Sequence, residues 1–317
     1  MTTSLRRAAG PGLVALALAL SACGGGQASG SSDTEGVSGS VAVDGSSTVF
    51  PLSDAAAELL NQENPDIQVN VGSAGTSGGF EAFCAGDTDI SDASRPIEED
   101  EVKACENGGI EYTEMQVALD ALTIVVHPDL GIDCLTTEQV IQLWEPRSDV
   151  DNWQDLDPSF PDQEISLFGP GTDSGTYDYM AGDVIGAESE TTRDDYEASE
   201  DDNVIVQGVA GTEGATGYFG YTYYEENQDS LKALAIDDGD GCVEPSAETA
   251  ADGTYTPLSR PLFIYVNNAS YSDKEAVAAY VDYYIENLAE IAEASQFIPL
   301  DDAQYQETQD ALSSLGG

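Results

Sequence analysis

Residues 40–60 read SVAVDGSSTVFPLSDAAAELL. The apolar start of this stretch predicts a strand, and the segment Asp44–Thr48 predicts a loop that carries several hydroxyl groups. A helix is expected next, because proline suits a first helical turn and the leucines and alanines after it recur on one face. A strand that feeds a helix through so short a loop indicates an α/β fold.

Two later loops repeat this design. Gly75–Gly79 follows the predicted strand Ile67–Val71, and Gly171–Thr176 follows the predicted strand Ile165–Phe168. One such loop is often no more than a helix cap. Each loop, however, presents backbone N–H groups, a helix N-terminus and hydroxyl donors, which bind anions without basic side chains. Ligands of α/β sheets bind beyond the carboxyl ends of the strands, so the three loops predict convergence on one oxyanion.

The rest of the chain alternates short apolar runs with helical patterns and shows no internal repeat. Ala121–Val126 is predicted to be a buried strand. Amphipathic helices are predicted near Lys274–Leu288 and Asp301–Leu312 at the end of the chain. This alternation again indicates α/β architecture.

The charge of the chain excludes several classes of partner. Its 317 residues carry 9 Lys and Arg against 60 Asp and Glu, a formal net charge of −51. A nucleic-acid binder is excluded, because a run of phosphates needs cations to neutralise it. A basic patch that docks on an anionic membrane is disfavoured for the same reason. We expect a folded protein with a carboxylate-rich surface suited to concentrated salt, which screens the repulsion between carboxylates.

The N-terminus has the features of an export signal. Two arginines precede the apolar run Leu13–Leu20, which is too short to span a bilayer but suits a signal-peptide core. The sequence Leu20–Gly24 resembles a bacterial lipobox, with Cys23 as the residue to be lipidated. We expect a signal peptide at 1–22 and a lipidated, flexible, Gly- and Ser-rich tether at 23–40. The alternative is a plain secretory signal with an incidental cysteine. The export route, general secretory or twin-arginine, stays open.

These loops, in the same order, resemble the phosphate-binding lipoprotein of the high-affinity phosphate ABC transporter, the PstS family. The resemblance runs from about Val41 to the C-terminus. Its matching stretches are VDGSSTVFP at 43–51, SGGF at 77–80, DISDASRP at 89–96, FGPGTDSGT at 168–176, GYFGY at 217–221 and LSRPL at 258–262.

The resemblance implies a two-lobe α/β fold of the type II periplasmic-binding-protein kind. The ligand then lies in the cleft between the lobes, and the chain crosses between them twice. Lobe 1 would take 41–119 plus 261–317, and lobe 2 would take 120–260. The implied function is capture of inorganic phosphate by a monomer on the outer face of the membrane, periplasmic or extracellular. The partners are then the permease subunits of an ABC importer, and neither a cofactor nor a metal is expected.

The resemblance also implies the residues that contact the ligand. Those that match the family's motifs are Ser47, Thr48, Ser77, Ser174, Gly175 and Thr176. Many relatives carry an arginine four residues before the serine of the third loop, where Pro170 stands in this chain. Arg95 occupies a loop in which other relatives carry an aspartate that accepts the proton of phosphate.

We therefore expect Arg95 to supply the missing cation, bidentate to the oxygens of phosphate. A structural salt bridge is its alternative role. The acceptor of the phosphate proton would then be Asp92 or Asp173.

The four cysteines other than the lipidated Cys23 are expected to form disulfides. Export places them in an oxidising compartment, and no pair has the C-x-x-C spacing of zinc and redox sites. Four cysteines allow three pairings. The favoured one joins Cys84 to Cys105 and Cys134 to Cys242, because each pair then stays inside one implied lobe.

Two other functions compete with phosphate capture. The same fold could bind another tetrahedral oxyanion, such as sulfate or arsenate, because neutral donors do not choose among them. A serine hydrolase is the remote alternative, since Gly75–Gly79 matches the G-x-S-x-G pattern with Ser77 as nucleophile. Its triad would need His127, the only histidine of the chain.

Overall fold

The computed structural model describes residues 36–172, 174–186 and 191–315. The predicted signal peptide, the lipidation site Cys23, most of the predicted tether and the candidate proton acceptor Asp173 lie outside the described residues. Among the residues that are described, no helix is both long and apolar enough to cross a membrane.

Strands and helices alternate along most of the chain. The strands are β1 (Gly39–Gly45), β2 (Ile67–Val71), β3 (Ile90–Ala93), β4 (Tyr112–Val126), β5 (Cys134–Thr136), β6 (Ser166–Gly169), β7 (Glu197–Ala198), β8 (Ala215–Gly220), β9 (Lys232–Ala233), β10 (Ala235–Asp237), β11 (Cys242–Val243) and β12 (Ser259–Asn267). The helices are α1 (Phe50–Glu63), α2 (Thr76–Ala85), α3 (Glu99–Gly108), α4 (Thr137–Trp144), α5 (Trp153–Leu156), α6 (Gly175–Asp178), α7 (Asp202–Gly211), α8 (Tyr221–Asn227), α9 (Ala247–Ala251), α10 (Asn268–Asp273), α11 (Glu275–Glu286), α12 (Leu288–Ala294) and α13 (Asp302–Leu315). A π-helix, Tyr179–Val184, directly continues α6.

One continuous sheet organises the described part of the chain. Its strand order is β2-β1-β3-β12-β4-β8-β6-β7, and β9 also pairs with β4. Near its two ends the strands run parallel, as in the pairs β1–β3 and β6–β8. A separate small sheet has the order β11-β10-β5.

Two long strands join the halves of the sheet. Strand β4 pairs with β12 along Tyr112–Ala121 and then with β8 along Leu122–Val126. Where β4 changes partner, Asp120 lies opposite Arg260 of β12. The predicted lobe boundaries, at 119/120 and 260/261, fall at this pair and remain a prediction.

A separate hydrophobic core fills each half. The first core packs α1, α11 and α12 on β1 and β12, and it includes Leu52, Leu60 and Tyr280. Helix α1 contributes one apolar face, because its buried leucines and alanine recur at intervals of four residues. The second core packs around Trp144 and Tyr218 on the other side of the crossing strands. The two-lobe α/β fold is thereby confirmed.

Both predicted disulfides are present. One joins Cys84 of α2 to Cys105 of α3, and the other joins Cys134 of β5 to Cys242 of β11. The first fastens two neighbouring helices beside the crossing strands, and the second closes the small sheet. The favoured pairing is confirmed.

Candidate anion-binding site

The first loop, Asp44–Thr48, is hydrogen-bonded to the end of β3. The Ser46 N–H donates to the Asp92 carbonyl over 2.9 Å, and the Thr48 N–H donates to Ser46 Oγ over 3.2 Å. Gly45 has φ +145°, and a Cβ there would collide with the Asp92 backbone, so the close approach needs glycine. Ser47 and Thr48 therefore lie just before the N-terminus of α1.

The second loop lies against the first. Gly75, at φ +82°, turns the chain into α2, and a Cβ on Gly79 would lie 2.5 Å from Gly45 Cα. Ser77, in the first turn of α2, accepts a hydrogen bond from Arg95 Nη2 at 3.0 Å. Two of the predicted contact residues are therefore in direct contact with each other.

The third loop meets the first from the other half of the sheet. Ser174 caps α6, and its Oγ accepts from the Thr176 N–H at 3.2 Å. A Cβ on Gly175 would lie 3.0 Å from Thr48 Oγ1, so the two loops are within van der Waals contact. The structure therefore brings the three hydroxyl-bearing loops together, although the strands that precede them belong to different halves of the sheet.

A cavity of about 430 Å³ opens where these segments meet. Its lining residues are Ser46, Ser47, Thr48, Ala74, Gly75, Thr76, Ser77, Gly78, Ser94, Arg95, Asp178, Gly182, Asp183 and Arg260. Four of the predicted contact residues are in this set: Ser47, Thr48, Ser77 and Arg95. An adjoining cavity of about 360 Å³ shares Ser47 and Thr48 and is also lined by Gly175 and Thr176. Ser174 lines neither cavity.

Arg95 lies in the cavity wall, and its guanidinium is paired with Glu101 in this structure. Its Nη1 and Nη2 donate to the two carboxylate oxygens of Glu101, each over 2.8 Å. The two-nitrogen edge of the guanidinium that would grip phosphate is therefore occupied by Glu101, and the alternative role of salt bridge is realised. Hydrogen bonding to Glu101 raises the pKa of Arg95 further, so the side chain stays charged.

Asp92 does not reach the cavity, so the structure gives no support to its role as proton acceptor. The residue is fully buried under the first loop, and its Oδ1 accepts from Ser53 Oγ at 2.9 Å. Burial raises the pKa of Asp92 to about 8, mainly because the charged form loses its hydration.

Three charged residues of the cavity were not among the predicted contacts. Arg260 donates from Nη2 to Thr48 Oγ1 over 2.9 Å and from Nη1 to Asp183 Oδ2 over 2.6 Å. Asp178 accepts from Ser47 Oγ at 3.0 Å. Asp178 lies one helical turn after Ser174, a spacing that could have placed it on the loop-facing side of the helix. Arg260 lies in the LSRPL motif, which carried no assigned role.

The cavity can therefore offer both kinds of hydrogen-bonding partner to an anion. Hydroxyls, N–H groups and two guanidinium groups donate, and two carboxylates accept. No group of three or more His, Cys, Asp or Glu within 36–172, 174–186 and 191–315 is arranged to hold a metal ion.

Comparison with known proteins places this geometry in a family. Residues 30–287 match the sequence profile of a PBP superfamily domain. Protein SphX of Synechococcus elongatus is 44% identical over 268 residues, 84% of this chain and 79% of that protein. The phosphate-binding protein PstS of Staphylococcus saprophyticus is 38% identical over 308 residues, 96% of this chain and 93% of that protein. The chain belongs to the PstS family.

This PstS-family chain also resembles a solved structure in its three-dimensional fold. The crystal structure of a possible phosphate binding protein from Planctomyces limnophilus aligns with a TM-score of 0.84 and 41% sequence identity. The alignment covers 88% of this chain and 99% of that chain. The likeness therefore includes both halves of the sheet and the cleft between them.

Proposed function

We propose that this PstS-family chain captures inorganic phosphate outside the cytoplasm and delivers it to the permease of an ABC importer. The observation that carries the proposal is the meeting of three hydroxyl-bearing strand–helix loops at one cleft between the halves of the sheet. The names of its relatives, phosphate-binding protein among them, point to the same ligand.

The neutral donors of the loops suit a tetrahedral oxyanion. Thr48 is almost fully buried, whereas Ser77 is exposed to the cavity. Their hydroxyls, with the N–H groups at the heads of α1 and α2, replace the hydration of the anion at contact distance. The head of α6 adds Gly175 and Thr176 from the other half of the sheet. An anion that bridges the loops would favour a closed cleft, because it gains partners from both sides.

The carboxylates of the cavity decide which oxyanion binds. A carboxylate repels sulfate, which has no proton at neutral pH, but accepts a hydrogen bond from a protonated phosphate or arsenate. Asp178 is our candidate for this acceptor, because it is exposed to the cavity and already accepts from Ser47. It takes the role that the sequence suggested for Asp92 or Asp173.

We also propose the division into lobes, the export and the lipid anchor. Lobe 1 comprises 41–119 and 261–317 and lobe 2 comprises 120–260, because β4 and β12 are the strands that pass between the cores. The signal peptide and lipobox motif support export and attachment through Cys23. Mass spectrometry of the membrane-bound protein, which should begin with a diacylated cysteine, checks the anchor.

A serine hydrolase is disfavoured by the positions of its required groups. Ser77 Oγ is engaged by Arg95, and the only histidine of the chain does not line either cavity. His127 Nδ1 instead accepts from the Asp129 N–H at 3.3 Å. Ser77 therefore lacks the general base that a triad requires.

Calorimetry of the ligand-stripped protein with phosphate, arsenate and sulfate tests the proposal. We expect phosphate and arsenate to bind at micromolar concentration or below, and sulfate to bind far more weakly. Asp178→Asn should reduce the phosphate-to-sulfate affinity ratio about tenfold or more, because a charged hydrogen-bond acceptor contributes about 1.5–3 kcal/mol. Asp310→Asn, on the exposed face of α13, is the matched control and should leave the ratio unchanged.

Two outcomes would contradict this picture. If the parent protein releases no heat with phosphate in any salt concentration, phosphate capture is wrong. If phosphate binds but Asp178→Asn keeps the parent's selectivity, the acceptor lies elsewhere.

A further inference from the structure

Arg260 occupies the point at which the two halves of the sheet meet. It lies on β12 opposite Asp120 of β4, where β4 changes partner from one half to the other. Its side chain is only 10% exposed, yet it lines the cavity. A buried guanidinium at this position can contact an anion from the crossing strands, at the boundary between the two proposed lobes.

Two neighbouring side chains, Asp120 and Tyr179, hold the guanidinium of Arg260 in place. Nε lies 3.3 Å from Oδ2 of Asp120, which is itself 7% exposed, and Cζ lies 3.7 Å from the centre of the Tyr179 ring. Ion pairing and stacking fix both the direction and the plane of the side chain. The other two nitrogens, Nη1 and Nη2, therefore project toward the cavity.

The two nitrogens at the cavity retain donor capacity. A guanidinium has five N–H groups, and in the described part of the chain those of Arg260 have three acceptors: Asp120, Asp183 and Thr48. One N–H on each of Nη1 and Nη2 is left over. This is the two-nitrogen geometry that binds oxyanions.

The other cation of the cavity has no such capacity. The Nη1 of Arg95 donates to Glu101 and the Pro96 carbonyl, and its Nη2 donates to Glu101 and Ser77. Both N–H groups of each nitrogen are used, and Nε lies 3.4 Å from Glu98. Arg95 would have to break its bidentate ion pair with Glu101 to bind a ligand, whereas Arg260 keeps one uncommitted N–H on each of Nη1 and Nη2.

We propose that Arg260 is the principal cation of the anion site and binds the oxyanion through Nη1 and Nη2. It thereby serves in place of the arginine that is missing at Pro170. The inference rests on the proposed function and adds the cation to it. Asp120 and Tyr179 are positioning residues, which hold the guanidinium in its binding orientation.

Asp183 has a separate part in this arrangement. Its carboxylate is 55% exposed and competes with the ligand for Nη1. Asp183→Asn keeps a side-chain oxygen that can accept from Nη1, so the substitution removes the charge without leaving the buried guanidinium unpaired. Loss of its charge should free Nη1 for the anion.

The first test compares phosphate affinities by calorimetry. Arg260→Gln should weaken binding about 30-fold or more, the effect of removing a buried charge partner. Arg95→Gln should weaken it less. Lys103→Gln, which changes the net charge equally on the exposed face of α3, is the control and should stay within about twofold of the parent.

A double variant guards against misfolding. Arg260→Gln alone leaves the buried Asp120 without its cation, so Arg260→Gln with Asp120→Asn removes both charges together. Circular dichroism should show the double variant folded, and calorimetry should show the same loss of phosphate binding.

A second comparison separates ligand contact from a merely structural role. Asp183→Asn should tighten phosphate binding several-fold in the parent and give no gain in the Arg260→Gln background. An equal gain in both backgrounds means that Asp183 repels the anion directly, and the inference fails. It also fails if the parent binds phosphate while the Arg260 variants bind as tightly, or if Arg95→Gln costs more than Arg260→Gln. A parent that binds no phosphate refutes the proposed function instead.

Discussion

At the scale of single residues, the buried carboxyl of Asp92 makes the stability of the protein depend on pH. Its carboxyl is buried under the first loop, Oδ1 accepts from Ser53, and Oδ2 has no hydrogen-bond partner within the described residues. Burial raises its pKa to about 8, and the nearby Asp44 carboxylate adds to the effect. The native state therefore binds a proton that the unfolded chain releases near its ordinary pKa of 3.8.

The sign of the resulting pH dependence follows from proton linkage. The native state keeps the proton while the unfolded state loses it, so stability from this group is complete below pH 3.8 and is lost progressively up to about pH 8. Asp92→Asn imitates the protonated acid and should remove the effect. The free energy of unfolding of the variant, relative to the parent, should rise by up to about 1.4 kcal/mol per pH unit across this range.

Urea unfolding at several pH values measures this difference. Asp310→Asn, which changes an exposed carboxylate, should run parallel to the parent at every pH. A constant offset between Asp92→Asn and the parent would show that Asp92 is ionised in the folded protein.

The residues of the site differ in whether the sequence around them or a long-range strand pairing is needed to identify them. The loops that hold Ser47, Thr48 and Ser77 follow from short strand–loop–helix patterns, and the resemblance to the PstS family implied these three residues as ligand contacts. Arg260 could not be placed, because it reaches Thr48 only through the register that sets it opposite Asp120. For Arg95 the sequence alone does not show whether Glu101 or the ligand receives its charge.

At the scale of elements, the sequence predicted strands best where apolar residues alternate with polar ones or form an unbroken run. Strand Ile67–Val71 has the predicted bounds, and Ala121–Val126 lies within the fully buried part of β4, Val117–Val126. The strand begins earlier, at Tyr112, where the half-buried Thr113 and the exposed Glu114 interrupt the apolar pattern. The predicted helix Lys274–Leu288 ends at Glu286, and Leu288 begins a separate helix.

The contact between α6 and the loop before α1 gives a prediction at the same scale. Gly175→Ala would place a methyl group about 3.0 Å from Thr48 Oγ1. The two loops must then separate or Thr48 must turn, and such overpacking of a close contact creates a strain of about 1–3 kcal/mol. Phosphate binding should weaken by up to a similar amount, because the closed cleft with bound ligand carries that strain. Calorimetry gives the affinity, and thermal unfolding checks that the fold is retained.

The control for this substitution is Gly211→Ala at the end of α7. A Cβ there meets nothing within 4 Å, so affinity should not change. If Gly175→Ala binds like the parent, the close approach of the two loops has no part in binding.

At the scale of the whole molecule, charge sets a problem that the site must overcome. The chain has a formal net charge of −51, and its proposed ligand is an anion. The arginines of the cavity are matched by carboxylates, with Glu101 on Arg95 and Asp183 on Arg260. The field at long range is therefore repulsive, whereas the attraction acts only at contact distance through N–H and hydroxyl groups.

These two ranges respond differently to salt. Ions screen charges separated by more than about 10 Å at 0.1 M ionic strength, but they cannot enter an occupied cavity. Raising the salt concentration from low to high should therefore increase the association rate of phosphate and leave the dissociation rate nearly fixed. Stopped-flow fluorescence yields both rates, and circular dichroism at each salt concentration confirms that the protein stays folded.

Potassium chloride and choline chloride should act alike at equal ionic strength, because screening depends on charge rather than on the identity of the cation. An association rate that falls as salt is added would mean that local positive charge at the cleft, rather than the acidic surface, controls the approach of the ligand.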